Sequence, residues 1–517
     1  MTLILALAIV LGTAVGTIGF GRRSNPAPGT MAGWAVGGRR FSTVLFWFMN
    51  AGEVYTTFAV LGISGYAWAL GAPAYLAFTS VSLSYCVGYW LMPKIWRSGR
   101  KHGLLTQADF FAARYDSRWL GAVTAVVGIA ALVVYVQIQL VSLSLIVRLT
   151  LGGSLSPNTA VVIGALVMLA FVYLAGLRSA AFASGVKDVL MIVIMLLLTA
   201  TVASRVGASS FLDIFHLAEK QHPGIGKFPG IDPHSPTTSV WLITSGLNVA
   251  LGNWVFPHLF QVSYSASSGT SIRRNAIWQP LYSLAYFFII LLGFAALVAG
   301  TKPAGGDLNG AFLQFVSDKY PSWIIGIVAG TGFLLALAPG SVLILTSGSL
   351  FARNVVGAVK SDLTDRATLL ISRLSMTGFA AVAVLLTVSQ NKSMVDILIY
   401  AYSAIGMLAP GVFLAFLWRR TSAVAVFLGI VAGFVALLAP FAKHYWAAHL
   451  PQWEPGVIAM AINAAVVLAV SLVTPQPKDE AAGVGLDLSA RSAGLPTAAR
   501  LARQVSPATG AVPGVEG

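Results

Sequence analysis

Long apolar runs recur along the whole 517-residue chain, separated by short stretches rich in Arg, Gly and Pro. A helix that crosses a bilayer needs roughly 20 mainly apolar residues. On that measure the runs at 2–20, 43–69, 72–93, 119–147, 157–176, 186–205, 239–262, 276–299, 322–348, 367–388, 394–417, 422–441 and 455–473 predict about thirteen membrane spans. The first run has no Lys or Arg before it, whereas Arg22 and Arg23 follow it, the reverse of a secretory leader; it reads as a retained helix. Between the runs, 206–238 is the longest loop, and 474–517 is a polar Ala/Gly/Pro tail expected to be disordered.

Composition agrees with this pattern: 57% of residues are hydrophobic, only 9% are charged, and the mean hydropathy is +0.81. A soluble domain carries about 25% charged residues, so this surface must face hydrocarbon. The single cysteine, Cys86, excludes a disulfide framework, and the seven histidines show no paired metal-ligand spacing. The net charge of +15 sits in short loops, where it sets orientation rather than binding nucleic acid. With the N-terminus outside, 24 of the 32 Lys and Arg fall on the inner side, Lys187 among them, and eight outside. The expectation is a multi-pass protein of the inner (plasma) membrane, N-terminus out and C-terminus in.

No soluble catalytic module fits between the spans, so function must reside in polar groups at membrane depth. Glu53 lies mid-span in Asn50-Ala51-Gly52-Glu53, where a small-residue pair beside a carboxylate suits a locally unwound helix with freed carbonyls. In the seventh span Gly252 and Asn253 precede Trp254-Val255-Phe256-Pro257-His258, and Pro257 removes a helical hydrogen bond beside a titratable imidazole. Either residue also has a plain reading, as a hydrogen bond between packed helices. The two interruptions are five spans apart, and two successive five-helix units have opposite orientation, the plan of an inverted repeat over 43–205 and 239–417. Lys187-Asp188 reads as an ion pair at a helix terminus near the inner face. Tyr135, Gln137 and Gln139 place polar groups within the fourth span.

Several stretches resemble the sodium:solute symporters, and within them the bacterial monocarboxylate permease branch. They are Gly37-Gly38-Arg39-Arg40-Phe41, "WFMNAGEVYTTFAVLG", "GLLTQADFFAARYDSRWLGAV", "FPHLFQVSYSASSGTSIRRNAIWQPLYSL", "ALAPGSVLILTSGSLFARNVV" and "APGVFLAFLWRR", in order from about residue 37 to 420. The resemblance implies an all-α, LeuT-type core of ten helices over 43–420, with a peripheral helix and inner loop at 1–42 and two peripheral helices at 421–473. It implies a sodium site at the carbonyls of Ala51 and Val54 facing Leu335, Ala338 and Pro339. This sequence departs from the family there, since neither Ala338 nor Pro339 has a hydroxyl; Ser341 is the nearby substitute. Asp188 falls on a family position that raises its standing in coupling, and Glu53 stands where an Asp is usual.

These features predict a secondary transporter rather than an enzyme: cation-coupled symport of a small organic anion such as a monocarboxylate. Ala51, Glu53, Val54, Asp188, Leu335, Ala338 and Ser341 are the candidate coupling residues, with Na+ at Ala51, Val54, Leu335 and Ser341, or H+ as the alternative ion. Thr56, Thr57, Gln139, Trp254, Pro257, His258 and Tyr402 would frame the substrate, which could instead be another small solute such as an amino acid. No cofactor, nucleic acid or obligate protein partner is implied; the partners are the anion and membrane lipid. A channel would want a ring of like helices and a sensor an output module, and neither pattern occurs.

Overall fold

The computed structural model describes residues 1–24, 30–151, 155–174, 177–360, 362–389 and 393–486. The remaining tail from 487, with Arg491, Arg500 and Arg503, and the loop residue Lys392 lie outside the described residues. Among the described residues there is no strand, only an isolated backbone bridge.

The main helices are α1 (Thr2–Ser24), α2 (Thr43–Val54), α3 (Phe58–Leu70), α4 (Leu76–His102), α5 (Gln107–Arg114) and α6 (Arg118–Thr150). Next come α7 (Pro157–Leu174), α8 (Leu177–Val206), α9 (Ser239–Asn253), α10 (Pro257–Ser265) and α11 (Gly269–Val298). The chain continues through α12 (Ser322–Val359), α13 (Asp365–Ser389), α14 (Met394–Gly406) and α15 (Ala409–Leu417). It ends with α16 (Ala423–Leu438), α17 (Pro440–His449), α18 (Pro455–Val473) and α19 (Asp479–Gly485). Among the described residues, seven helices are long and apolar enough to cross a membrane, or up to ten if each bent pair counts as one span. The other expected spans coincide with α4, with α7 and with the α9–α10 pair. The first ends in a basic turn, the second is short, and the third is interrupted.

Side-chain hydroxyls start many of these helices. Ser42, Ser117, Thr238, Ser268, Ser393 and Ser422 each accept a bond from a backbone N–H in the first turn, closing donors that water cannot reach inside a membrane. The centre of the bundle is α12, whose most apolar stretch is 89% buried, against 22% for α13 and 17% for α1. Its Gly, Ala and Ser residues let α6, α8 and α1 approach closely. α13 and α1 turn their large apolar side chains outward, as a lipid-facing helix must.

The entry into α2 is fixed by backbone geometry. Gly37, Gly38 and Arg39 have φ of 56°, 68° and 58°, a left-handed run that glycine adopts without penalty. The turn delivers Phe41 to the end of α10, where Phe41 N donates to Ser265 O and Ser267 N donates to Phe41 O, each at 3.0 Å. Polar side chains then zip α2 to α11: Thr43 Oγ1 to Ser271 Oγ at 2.8 Å, Gln279 Nε2 to Trp47 O at 3.2 Å, and Asn50 Nδ2 to Gln279 Oε1. Buried polar pairs of this kind hold helices together where hydrophobicity cannot.

Three expectations need correction. The sixth span begins at Leu177 rather than 186; its first turns are small and polar, which hides them from a hydropathy reading. Lys187 and Asp188 therefore lie three turns inside α8, fully buried, and not at a terminus near an inner loop. The unwound segment of the second span is Tyr55–Thr56, while Asn50–Glu53 remains helical. Third, the tail expected to be disordered from 474 contains α19, which packs on α5 and on α4, where Ser98 Oγ donates to Val484 O at 2.7 Å. The loop 206–238 also holds a helix, Asp213–Gln221.

At the arginine-rich end, Thr106 and Asp109 form a capping box on α5. Asp109 also accepts from Leu105 N at 2.9 Å, Arg353 Nε at 2.7 Å and Asn354 Nδ2 at 2.8 Å, tying α5 to the end of α12. Burial opposes ionisation of Asp109, but the Arg353 guanidinium and these donors outweigh it and hold the carboxyl below its ordinary value. A carboxyl depressed in the folded state stabilises above its unfolded pKa, and that contribution is lost as pH falls through the folded value. Asp109→Asn should therefore lower stability at pH 7 by about 1–3 kcal/mol, the usual cost of losing a hydrogen-bonded charge. Thermal unfolding in detergent should show the gap to wild type narrowing below about pH 4.

Candidate functional site

Two helix interruptions face each other inside the bundle. At the first, Tyr55 leaves helical geometry with φ −93° and ψ 78°, and the axis bends by 43° between α2 and α3. The Ala59 amide, which a continuous helix would direct to the Tyr55 carbonyl, donates instead to Thr56 O at 3.0 Å. Thr56 Oγ1 accepts from Phe58 N at 3.2 Å, so the hydroxyl replaces a lost backbone acceptor. Thr57 Oγ1 donates to Gln139 Oε1 of α6 at 3.0 Å. At the second interruption α9 ends at Asn253, Phe256 is extended with ψ 134°, and Pro257 is the first residue of α10. Pro257 thus starts a helix rather than kinking one, at the position where its missing N–H costs nothing.

Between these breaks lies a small cavity. Val54 and Phe58 approach from the first break and Asn253 from the second. Ser80, Ser84 and Tyr85 of α4, Tyr135 of α6, Tyr286 of α11 and Tyr402 of α14 complete its polar wall. Tyr402 OH donates to Asn253 Oδ1 at 2.7 Å, leaving Asn253 Nδ2 without a partner, as are the hydroxyls of Tyr85 and Tyr286. No lining residue is charged. Trp254 is buried beside this cavity, its indole N–H donating to Ser84 O and its ring 5.6 Å from Tyr85.

A second group of residues sits behind the first break. Glu53 is 3% exposed, and neither carboxylate oxygen accepts a hydrogen bond; His258 Nε2 lies 3.7 Å from Oε2. Lys187 Nζ donates to Tyr55 O and to Asp188 Oδ1, both at 2.8 Å, with Lys187 and Asp188 fully buried. Asp188 Oδ2 has no partner.

Of the substrate residues expected from sequence, only Tyr402 lines the cavity. Thr56, Thr57, Gln139 and Pro257 do not line it, Trp254 packs behind it on Ser84, and His258 turns to Glu53. Thr57 lines a separate apolar cavity with Leu335 and Thr331 of α12. Ser80, Ser84, Tyr85, Asn253 and Tyr286 were missed as wall residues. The α4 serines, four residues apart with Tyr85 beside them, form a polar stripe on an apolar helix, a signal available in the sequence.

The expected sodium ligands do not assemble. The Ala51 carbonyl accepts from Tyr55 N at 2.8 Å within its own helix. Ser341 Oγ donates to Ala338 O at 2.6 Å, and Ala338 and Pro339 offer no side-chain oxygen. Leu335 O loses its helical donor at Pro339, which has no N–H. One freed carbonyl on α12 and Val54 at the end of α2 fall short of the several oxygens a hard cation takes. The residues present do not fit a sodium ion at this break.

Comparison with known proteins follows the same lines. Residues 34–433 match the Sodium:solute symporter family. The uncharacterized symporter YhjB of Bacillus subtilis is 33% identical over 488 residues, covering 92% of this chain and 99% of that protein. A monocarboxylate transport permease protein of Rhizobium johnstonii is 27% identical over 376 residues, covering 72% of this chain and 74% of its own. Among solved structures, a Na+-coupled sialic acid symporter in a substrate-bound outward-open state has a TM-score of 0.75 at 15% identity. It is matched over 92% of this chain and 99% of that one. The nucleobase-cation-symport-1 transporter Mhp1, closed around a bound hydantoin, has a TM-score of 0.57 at 14% identity, over 89% of this chain and 98% of its own. Both likenesses establish a LeuT-type fold. With that fold, paired helix breaks and a family match across most of its length, this multi-pass membrane transporter belongs to the sodium:solute symporter family.

Proposed function

We propose that this protein takes up a small monocarboxylate by cation-coupled symport, with the cavity between the two helix breaks as the solute site. The observation that carries the reading is the chemistry of the wall: hydroxyls and one amide, with no lysine or arginine among the lining residues. Such a wall can hold one carboxylate through neutral donors, aided by the partial positive N-terminal end of α10, but it lacks the charge to hold a polyanion. The name of the Rhizobium relative supports the same solute class. An amino acid is the second reading; it would need an acceptor for its ammonium group, which Asn253 Oδ1 and the tyrosine oxygens offer.

Family membership weighs for sodium as the coupling cation. The Glu53–His258 pair weighs for a proton, because an unpartnered buried carboxylate beside an imidazole is a seat for one. The excess of Lys and Arg in one set of loops supports an outward N-terminus and an inward C-terminus in the plasma membrane.

Purified protein in liposomes should accumulate labelled acetate, propionate, lactate or pyruvate against a gradient, and amino acids should not compete. Accumulation of an amino acid alone would reverse the assignment. Glu53→Gln should abolish accumulation driven by a cation gradient while the protein still folds and exchanges solute; unchanged accumulation would remove Glu53 from coupling. Tyr85→Phe, which deletes an unpartnered hydroxyl at the cavity wall, should weaken apparent solute affinity about three- to tenfold, the value of one hydrogen bond. An unaltered apparent affinity would move the solute elsewhere.

A further inference from the structure

The break between α2 and α3 frees the Tyr55 carbonyl deep in the bundle, and the group that satisfies it is the ammonium of Lys187. The Ala59 amide has turned to Thr56 O, and Lys187 Nζ donates to Tyr55 O at 2.8 Å while pairing with Asp188 Oδ1 at 2.8 Å. Lys187 and Asp188 are fully buried in α8, and Glu53 of α2 is 3% exposed. Glycine at 52 lets α2 approach α8 closely at Ser184, beside the lysine stem. A Cβ there would come within 2.8 Å of Ser184 Cβ and within 3.4 Å of Lys187 Cε. Across the break, α12 presents no side-chain hydroxyl at Ala338 or Pro339, and the Ser341 hydroxyl is committed to Ala338 O.

A carbonyl exposed by an unwound helix and flanked by two carboxylates is where a mobile cation would be drawn. Here a covalently attached cation already stands there. An ammonium is a compact point charge with three donors, two of them used by Tyr55 O and Asp188 Oδ1. A sodium ion entering the same place would meet a like charge and too few oxygens.

We propose that Lys187 is a built-in cation that substitutes for sodium at the α2–α3 break, so that this chain moves its solute without sodium. The inference rests on the symport reading above and decides between its two cations. Lys187 also becomes a positioning residue: by holding the Tyr55 carbonyl it fixes how α3 leaves α2, and so the shape of the cavity wall at Val54 and Phe58.

The test compares wild type, Lys187→Met and Lys187→Ala, purified and in liposomes, in sodium and in N-methyl-D-glucamine buffers. Wild-type uptake and exchange of labelled propionate and pyruvate should agree within about twofold between the buffers, and about 100 mM sodium should leave the Tm of the purified protein unchanged, because only a bound ligand stabilises. A tenfold or larger loss of uptake without sodium, or a sodium-dependent rise in Tm of several degrees, would overturn the proposal. Lys187→Met should lose exchange by about tenfold or more, and Lys187→Ala should regain part of it with added n-butylammonium. Wild-type rates in Lys187→Met would overturn the role of the charge. Should Lys187→Met not fold, the wild-type sodium comparison decides alone. If neither acid is carried in either buffer, the solute assignment fails, and the Tm comparison still decides the question of sodium.

Discussion

A helix that breaks inside hydrocarbon must hand every freed backbone group to a partner, because no bulk water is there to take it. That requirement organises this molecule. At Tyr55–Thr56 the lost helical bonds are replaced by the Thr56 hydroxyl, the Thr56 carbonyl and the Lys187 ammonium. At Trp254–Phe256, Gln107 Nε2 of α5 donates to Val255 O and Pro257 begins the next helix without needing a donor. One partner at each break comes from another helix, Lys187 from α8 and Gln107 from α5, so each break is also a junction. The cavity proposed to hold the solute is the space left where the two junctions face each other.

The surrounding bundle holds these junctions in register. α2 is pinned at its start by the Phe41 bridge to the end of α10 and along its length by the polar contacts with α11. The first and second breaks are thereby linked through Phe41–Ala266, and a movement of α2 relative to α11 must be felt at α10. At the opposite side of α10, α5 reaches both Val255, through Gln107, and the end of α12, through Asp109 and Arg353. Under the proposed symport function, these links would act as rigid levers around the site.

Much of the architecture was legible in the sequence because hydropathy reports directly on the bilayer. The family was legible too, from ordered segments such as Phe256–Leu284. Breaks were foreseen in the second and seventh spans, yet the first was placed at Asn50–Glu53 rather than Tyr55–Thr56. Gly52 drew the reading there. Its small size serves the close approach of α8 at Ser184 instead of unwinding the helix, a tertiary reason invisible in one strand of sequence. Lys187 itself was read as an inner-face residue because the small, polar first turns of α8 did not register as membrane helix. The cavity wall was missed for a similar cause: Tyr85 and Tyr286 look like interfacial or packing aromatics until α4 and α11 are brought together around Asn253.

The central claim is that solute binds between the two breaks. The single cysteine, Cys86, is exposed and can be replaced, which leaves a background for one reporter thiol. Ser84→Cys in a Cys86→Ser protein would place that thiol on the cavity wall. The account predicts that a small methanethiosulfonate reagent labels it from water and that saturating monocarboxylate slows the labelling about tenfold or more. Labelling at the same rate with and without solute, in a variant that still transports, would contradict it.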